Sequence, residues 1–213
     1  AMNVPKLPAR GLYLVTREMA DTAALLAIVR DAIAGGAVVV QYRDKRVDHA
    51  ARLAQATALR ELCHAAGVPL IVNDDVALAA ASGAAGVHLG ADDASIAAAR
   101  AALGADAIVG VSCYDDPVRA RVAAAEGADY VAFGAWFASP TKPNARNAGP
   151  AQLAGIADLA VPRVAIGGIT RDNARIPVAA GAQFVAVISD VFDAIDPRAA
   201  AAAIAAHFKD YQR

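Results

Sequence analysis

Aromatic residues are scarce in this 213-residue sequence, at 5%, which argues against the base-stacking platforms of single-strand nucleic-acid binders. An excess of either charge is also missing. The 20 basic and 21 acidic residues leave a net charge of -1, without the basic surplus of a nucleic-acid-binding domain. Two cysteines, Cys63 and Cys113, carry no metal-ligand spacing and imply no disulfide framework, so both read as ordinary buried residues. No membrane-spanning apolar run is present. The alanine-rich stretch 193–206 is broken by Asp196, Pro197 and Arg198. The opening AMNVPKLPAR has no long apolar core before a cleavage site and does not read as a signal peptide. Cytoplasm is therefore the default location, and neither nucleic acid nor membrane is expected as a partner.

What the sequence does contain is alanine in helix-like stretches and short runs of valine, isoleucine and phenylalanine. Eight such runs recur: GLYLVT from Gly11, AVVVQY from Ala37, VPLIVN from Val68, GVHL from Gly86, DAIVGV from Asp106, DYVAFG from Asp129, RVAIGG from Arg163 and QFVAVI from Gln183. Alanine-rich helical segments are predicted between most of them, over 22–34, 49–66, 96–103, 117–126 and 173–180. Glycine before several strands closes a helix and turns the chain. Nearly continuous apolar strands separated by helices are βαβ units buried on both faces. Eight of them predict an α/β fold, a single (β/α)8 TIM barrel spanning 1–213. An open doubly wound sheet competes, but no GxGxxG opens the first unit.

In such a barrel the site forms at the C-terminal strand ends. The second strand leads into Gln41, Arg43 and Lys45, a spacing that puts side chains on one face and brings two cations together. These suit a phosphorylated ligand, although a solvated strand end is the plain alternative. Asn73, Asp74 and Asp75 follow the third strand, and Asp92 and Asp93 follow the fourth. One acid at each place is accounted for by helix capping. The adjacent second acid is better accounted for by carboxylates converging on Mg²⁺. Ser112, after the fifth strand, is either a helix cap or a hydroxyl donor to phosphate. Ser139, Thr141 and Lys142 lie in a long polar loop, 134–150, that is expected to be mobile without ligand and to close over an anionic substrate. Gly167 and Gly168 after the seventh strand, with Ile188 and Ser189 after the eighth, match the usual phosphate position of these barrels. His88 lies within the fourth strand and reads as a packed residue. No general base and no covalent nucleophile stand out, so the chemistry is expected to depend on charge stabilisation.

Taken in order, GLYLVT, QYRDK at 41–45, IVNDDVALA from Ile71, GVHLGADD from Gly86, GVS from Gly110, SPTKP from Ser139, VAIGGI from Val164 and GAQFVAVIS from Gly181 resemble the thiamine-phosphate synthase family over essentially the whole chain. The resemblance implies a barrel enzyme joining a pyrimidine-methyl diphosphate to a thiazole phosphate, giving thiamine phosphate and diphosphate. It implies that Gln41, Arg43, Lys45 and Asn73 receive the pyrimidine diphosphate. It further implies that Asp74 and Asp93 bind Mg²⁺ and that Ser112 contacts the diphosphate. Ser139, Thr141 and Lys142 match the loop that holds the diphosphate and the thiazole phosphate, and Gly168, Ile188 and Ser189 match the thiazole phosphate site. Arg43, Lys45, Lys142 and Ser112 are the implied catalytic set. Ala91 stands where the family usually has glutamine, Ala135 where proline is common, and Ser139 where threonine is usual with its hydroxyl kept. Cys113 and Tyr114 stand where small residues or histidine are frequent.

Three alternatives stay open on sequence alone: a thiazole tautomerase-like relative, another phosphate-sugar barrel enzyme, and a phosphate-ligand sensor without turnover. Retention of Arg43, Lys45, Asp74, Asp93 and Lys142 argues against the first, and no lysine or acid poised for proton transfer can be placed for the second. A homo-oligomer is compatible with the sequence but not specified by it.

Overall fold

The computed structural model describes residues 5–46, 48–138 and 147–209. Eight strands close into a barrel in chain order: β1 (Gly11–Val15), β2 (Ala37–Tyr42), β3 (Leu70–Asn73), β4 (Gly86–Leu89), β5 (Ile108–Tyr114), β6 (Tyr130–Phe133), β7 (Arg163–Ile166) and β8 (Phe184–Val187). Every neighbouring pair is parallel, including β8 with β1. All eight C-terminal ends therefore share one rim. The helices between them are α1 (Thr22–Ala34), α2 (His49–Ala65), α3 (Val76–Ser82), α4 (Ile96–Leu103), α5 (Pro117–Ala125), α6 (Pro150–Ala154), α7 (Arg175–Ala179), α8 (Ser189–Phe192) and α9 (Pro197–Ala206). None is long and apolar enough to cross a membrane.

Strand alternation divides the core in two. One set, including Leu12, Leu14, Val40, Val87 and Val185, packs outward under the helices. The other fills the barrel itself: Tyr13, Val39, Ile71, Ile108, Tyr130, Val164 and Phe184. Tyr13 makes edge contacts with Tyr130 and Phe184, with centroids 5.7 and 6.4 Å away. Burying each large side chain contributes about 1.5–3 kcal/mol, so both layers stabilise the closed sheet.

The predicted strands coincide closely with the observed ones, and the barrel is closed as expected. Some local features differ. Helices α3, α6 and α9 were not among the predicted segments. Strand β5 runs past Ser112 to Tyr114, with a register shift between those residues against β6. Tyr114 takes φ of 56° there, a conformation that costs a non-glycine residue energy.

One glycine governs the geometry of the interior. His88, Gly110 and Tyr130 stand at one level on β4, β5 and β6. A Cβ at Gly110 would lie 1.9 Å from Cζ of Tyr130. Glycine therefore lets the tyrosine ring cross over β5 and stack on His88, with centroids 5.6 Å apart.

Candidate active site

The β2 end is built first. Thr16 Oγ1 accepts from the Arg43 amide at 3.0 Å, and Glu18 Oε1 accepts from the Lys45 amide at 3.0 Å. The loop after β1 thus holds the Arg43–Lys45 segment in place. Asp44 is buried and engaged by its neighbours. Its carboxylate accepts from the Arg46 side chain and amide and from the Tyr42 hydroxyl. Burial alone would raise the Asp44 carboxyl, but the Arg46 bonds and charge hold it below its ordinary value.

The two acidic doublets separate into different roles. Asp75 is the N-cap of α3, accepting from the Leu78 amide at 2.9 Å, and its other oxygen accepts from Arg52 at 3.0 Å. Both of its oxygens are engaged by the fold. Asp74 sits at φ 63° and faces Asp93 instead. Burial raises the Asp74 carboxyl above its ordinary value, and so do the hydrogen bond and charge of Asp93, while Lys45 and Arg43 oppose the rise. The Lys45 ammonium lies 3.8 Å from Asp74. Asp93 does not cap α4, whose cap is Ser95. It accepts from the Gly90 amide at 2.5 Å, and Asp92 is exposed. An open cleft of about 450 Å³ lies here, lined among others by Lys45, Asn73 and Asp74.

Two carboxylates that face each other repel when both are charged, and Asp93 accordingly raises the Asp74 carboxyl. Among the described residues no cluster of three metal-ligating side chains exists. A pair of carboxylates nevertheless fits Mg²⁺, which keeps several waters and takes substrate phosphate oxygens as further ligands. The residues present therefore suit the ion.

Ser112 is not a helix cap, because Asp116 caps α5. Its hydroxyl lies 2.8 Å from His88 Nε2, and His88 Nδ1 lies 3.0 Å from the Tyr130 hydroxyl. Arg119 braces the same strand end, donating to the carbonyls of Ser112 and Gly90 at 2.7 and 3.2 Å. Thr16, Glu18, His88, Tyr130 and Arg119 support the site but were not singled out as site residues from sequence. Their partners are distant along the chain, and only the burial of His88 was anticipated.

Burial lowers the His88 pKa to about 4 from 6.5, with the charge of Asp93 opposing the shift. The native imidazole stays neutral where the unfolded one gains a proton, so the unfolded chain binds more protons between those values. Stability is therefore expected to fall as pH drops from 6.5 towards 4, by on the order of 3 kcal/mol from this group. Urea unfolding of the wild type and His88→Asn across that range should show the wild type losing the extra stability. Parallel losses in both would contradict this assignment.

On the opposite side of the rim, Gly168 follows β7 and Ser189 is the first residue of α8 after Ile188. The closed barrel brings these together on adjacent strand ends. Gly168 has φ of 63°, and a Cβ there would meet the Phe137 and Ala138 carbonyl oxygens at 2.7 and 2.9 Å. Close packing against the segment after β6 thus requires this glycine independently of any phosphate. Replacing it would not isolate a ligand contact. Gln41, Arg43, Lys45, Asn73, Asp74, Asp93 and Ser112 all fall at the ends of β2 to β5. Ser139, Thr141 and Lys142, with the closing loop expected around them, lie outside the described residues. Cys63 and Cys113 are both free and buried.

Residues 12–191 match the family model described as thiamine monophosphate synthase. The thiamine-phosphate synthase of Azoarcus sp. strain BH72 is 58% identical over 201 residues, covering 93% of this chain and 97% of that protein. That of Xanthomonas campestris pv. campestris strain 8004 is 57% identical over 200 residues, covering 94% and 96%. Among solved structures, thiamine phosphate pyrophosphorylase from Pyrococcus furiosus superposes with a TM-score of 0.84 at 32% identity, covering 96% of this chain and 98% of that one.

Proposed function

The chain belongs to the thiamine-phosphate synthase family, and from that premise we propose that it is the transferase that makes thiamine phosphate with release of diphosphate. The substrates in this reading are 4-amino-2-methyl-5-(diphosphomethyl)pyrimidine and 4-methyl-5-(2-phosphoethyl)thiazole, or the carboxylated form of the latter. The observation that carries it is the juxtaposition at the ends of β2 to β4. Two cations, Arg43 and Lys45, act on the partly buried carboxylate of Asp74, which faces a second, exposed one, Asp93.

The chemistry asked of the protein is modest. The bond between the pyrimidine methylene and the diphosphate oxygen breaks, and its electron pair leaves with the diphosphate. The methylene cation is stabilised by the electron-rich aminopyrimidine. The thiazole nitrogen supplies its lone pair to form the new C–N bond. No proton is removed from the nucleophile, which suits a site without a general base. Arg43, Lys45 and, from the family motif, Lys142 would stabilise charge on the departing diphosphate. Asp74 and Asp93 would hold Mg²⁺, which when bound neutralises phosphate charge as a Lewis acid. Gln41 and Asn73 would orient the pyrimidine diphosphate, and Ser112 would donate a hydrogen bond to its phosphates. Ser139, Thr141, Gly168, Ile188 and Ser189 would receive the thiazole phosphate side. Holding both substrates in line supplies the remaining rate.

The test is direct. The purified protein is supplied with the pyrimidine diphosphate, Mg²⁺ and, in separate reactions, the plain or the carboxylated thiazole phosphate. Thiamine phosphate in at least one reaction is expected; its absence from both overturns the reading.

A further inference from the structure

Across the inside of the barrel runs an unbroken row of polar groups among aromatic and aliphatic neighbours. Gln41 Nε2 donates to the Tyr13 hydroxyl at 2.8 Å. The Tyr13 and Tyr130 hydroxyls are 2.7 Å apart. The Tyr130 hydroxyl is 3.0 Å from His88 Nδ1, and His88 Nε2 is 2.8 Å from Ser112 Oγ. Gln41, Tyr13, Tyr130 and His88 are all buried, and Ser112 is partly exposed at the rim. The row therefore joins two residues at the site through three that have no place in the chemistry described above.

Proton counting gives this row a direction. The Gln41 amide nitrogen can only donate, so the Tyr13 oxygen accepts and its own proton points to Tyr130. The Tyr130 oxygen then accepts from Tyr13, and its proton points to His88 Nδ1. A neutral imidazole carries one proton, so with Nδ1 accepting, that proton sits on Nε2 and is donated to Ser112 Oγ. Ser112 has accepted a bond from inside the barrel, which leaves its own proton free to point outward. Burial disfavours charging any member: it raises both phenols and lowers the imidazole. At neutral pH every link is therefore uncharged, and bonds aligned this way reinforce one another.

We propose that Gln41, Tyr13, Tyr130 and His88 form a one-way hydrogen-bond chain that sets the Ser112 hydroxyl as an outward donor, aimed at the anion leaving from the site. Tyr13, Tyr130 and His88 are then positioning residues that act through Ser112. This rests on the functional reading only for the identity of the anion; the direction of the chain stands without it. Gly110 belongs to the device, because only glycine lets the Tyr130 ring reach His88 across β5.

Two experiments test it. The first uses ¹⁵N-histidine-labelled, ligand-free protein and long-range ¹H–¹⁵N correlation spectra, with His88 assigned by its loss in His88→Asn. Wild-type His88 is expected as a single Nε2–H tautomer. Gln41→Met and Tyr13→Phe remove the directional constraint and are each expected to yield a mixture of tautomers. An Nδ1–H tautomer in the wild type, or an unchanged pure tautomer in both variants, overturns the chain. The second is a kinetic cycle with the two precursors and Mg²⁺. Ser112→Ala is expected to lower kcat about 10²-fold. Tyr13→Phe is expected to lower kcat about tenfold, with KM for the pyrimidine diphosphate held within about twofold. In the Ser112→Ala background, Tyr13→Phe should cost nothing further. An equal cost in both backgrounds overturns the coupling to Ser112. A wild type inactive on both precursors, with the tautomers behaving as expected, would refute the functional reading and leave the chain in place.

Discussion

Asp74→Ala and Asp93→Ala are each expected to reduce thiamine phosphate formation by about 10²-fold or more and to raise the Mg²⁺ concentration needed for half-maximal rate. The argument rests on what the surrounding fold does with each acid. Asp75 is consumed by structure: one oxygen caps α3 and the other meets Arg52. Asp74, one residue earlier, adopts a left-handed backbone and faces a second carboxylate that raises its pKa. Two like charges held close together lower stability, and such arrangements persist where a ligand relieves them. The two neighbours should therefore separate in opposite senses. Asp75→Ala is expected to lower stability by about 1 kcal/mol through loss of the cap while leaving kcat near the wild-type value. Asp74→Ala is expected to lose activity with stability unchanged or increased. Initial rates across a Mg²⁺ titration, with urea unfolding alongside, check both. If Asp75→Ala proved the more damaging to rate, the metal assignment would be off by one residue.

Arg43→Ala is expected to lower kcat on a similar scale, about 10²-fold. Its backbone is pinned by Thr16, and its charge is felt at Asp74, so on the proposed reading the guanidinium would act where diphosphate and Mg²⁺ meet. Arg43→Lys keeps the charge but loses the planar fork and should recover only part of the rate. Lys142→Ala is expected to produce a comparable loss, because on the proposed reading the family motif would direct this ammonium to the same leaving group. It should also raise the proportion of pyrimidine alcohol formed per thiamine phosphate, since water can intercept the methylene cation. Single-turnover product analysis of the three variants separates these effects. Wild-type rate and partitioning in Lys142→Ala would remove that residue from the machinery.

The barrel was legible because parallel strands buried on both faces write themselves as apolar runs, as AVVVQY and GVHL do. Helix α3 was harder to see. Its seven residues, VALAAAS, span only about two turns, too few to show a helical period. The extension of β5 past Ser112 was hidden because it depends on Tyr114 adopting an unusual backbone angle, which no residue pattern announces. Ser112 was named as either cap or donor, and the choice turned on Asp116 four residues later taking the cap. His88 was correctly expected to be packed. Its hydrogen bonds could not be foreseen, because its partners lie 24 and 42 residues away and meet it only when the barrel closes. Asp74 and Asp75 likewise precede the same helix, and only the folded backbone gives the cap to Asp75 and turns Asp74 towards Asp93.

The most direct test of the central claim follows both products of one reaction. Wild-type protein with the pyrimidine diphosphate, the thiazole phosphate and Mg²⁺ is sampled over time, and thiamine phosphate and diphosphate are quantified together. The account predicts that the two accumulate in equal amounts, and that chelating Mg²⁺ stops both. Diphosphate released without thiamine phosphate, or no turnover with both precursors bound, would contradict it.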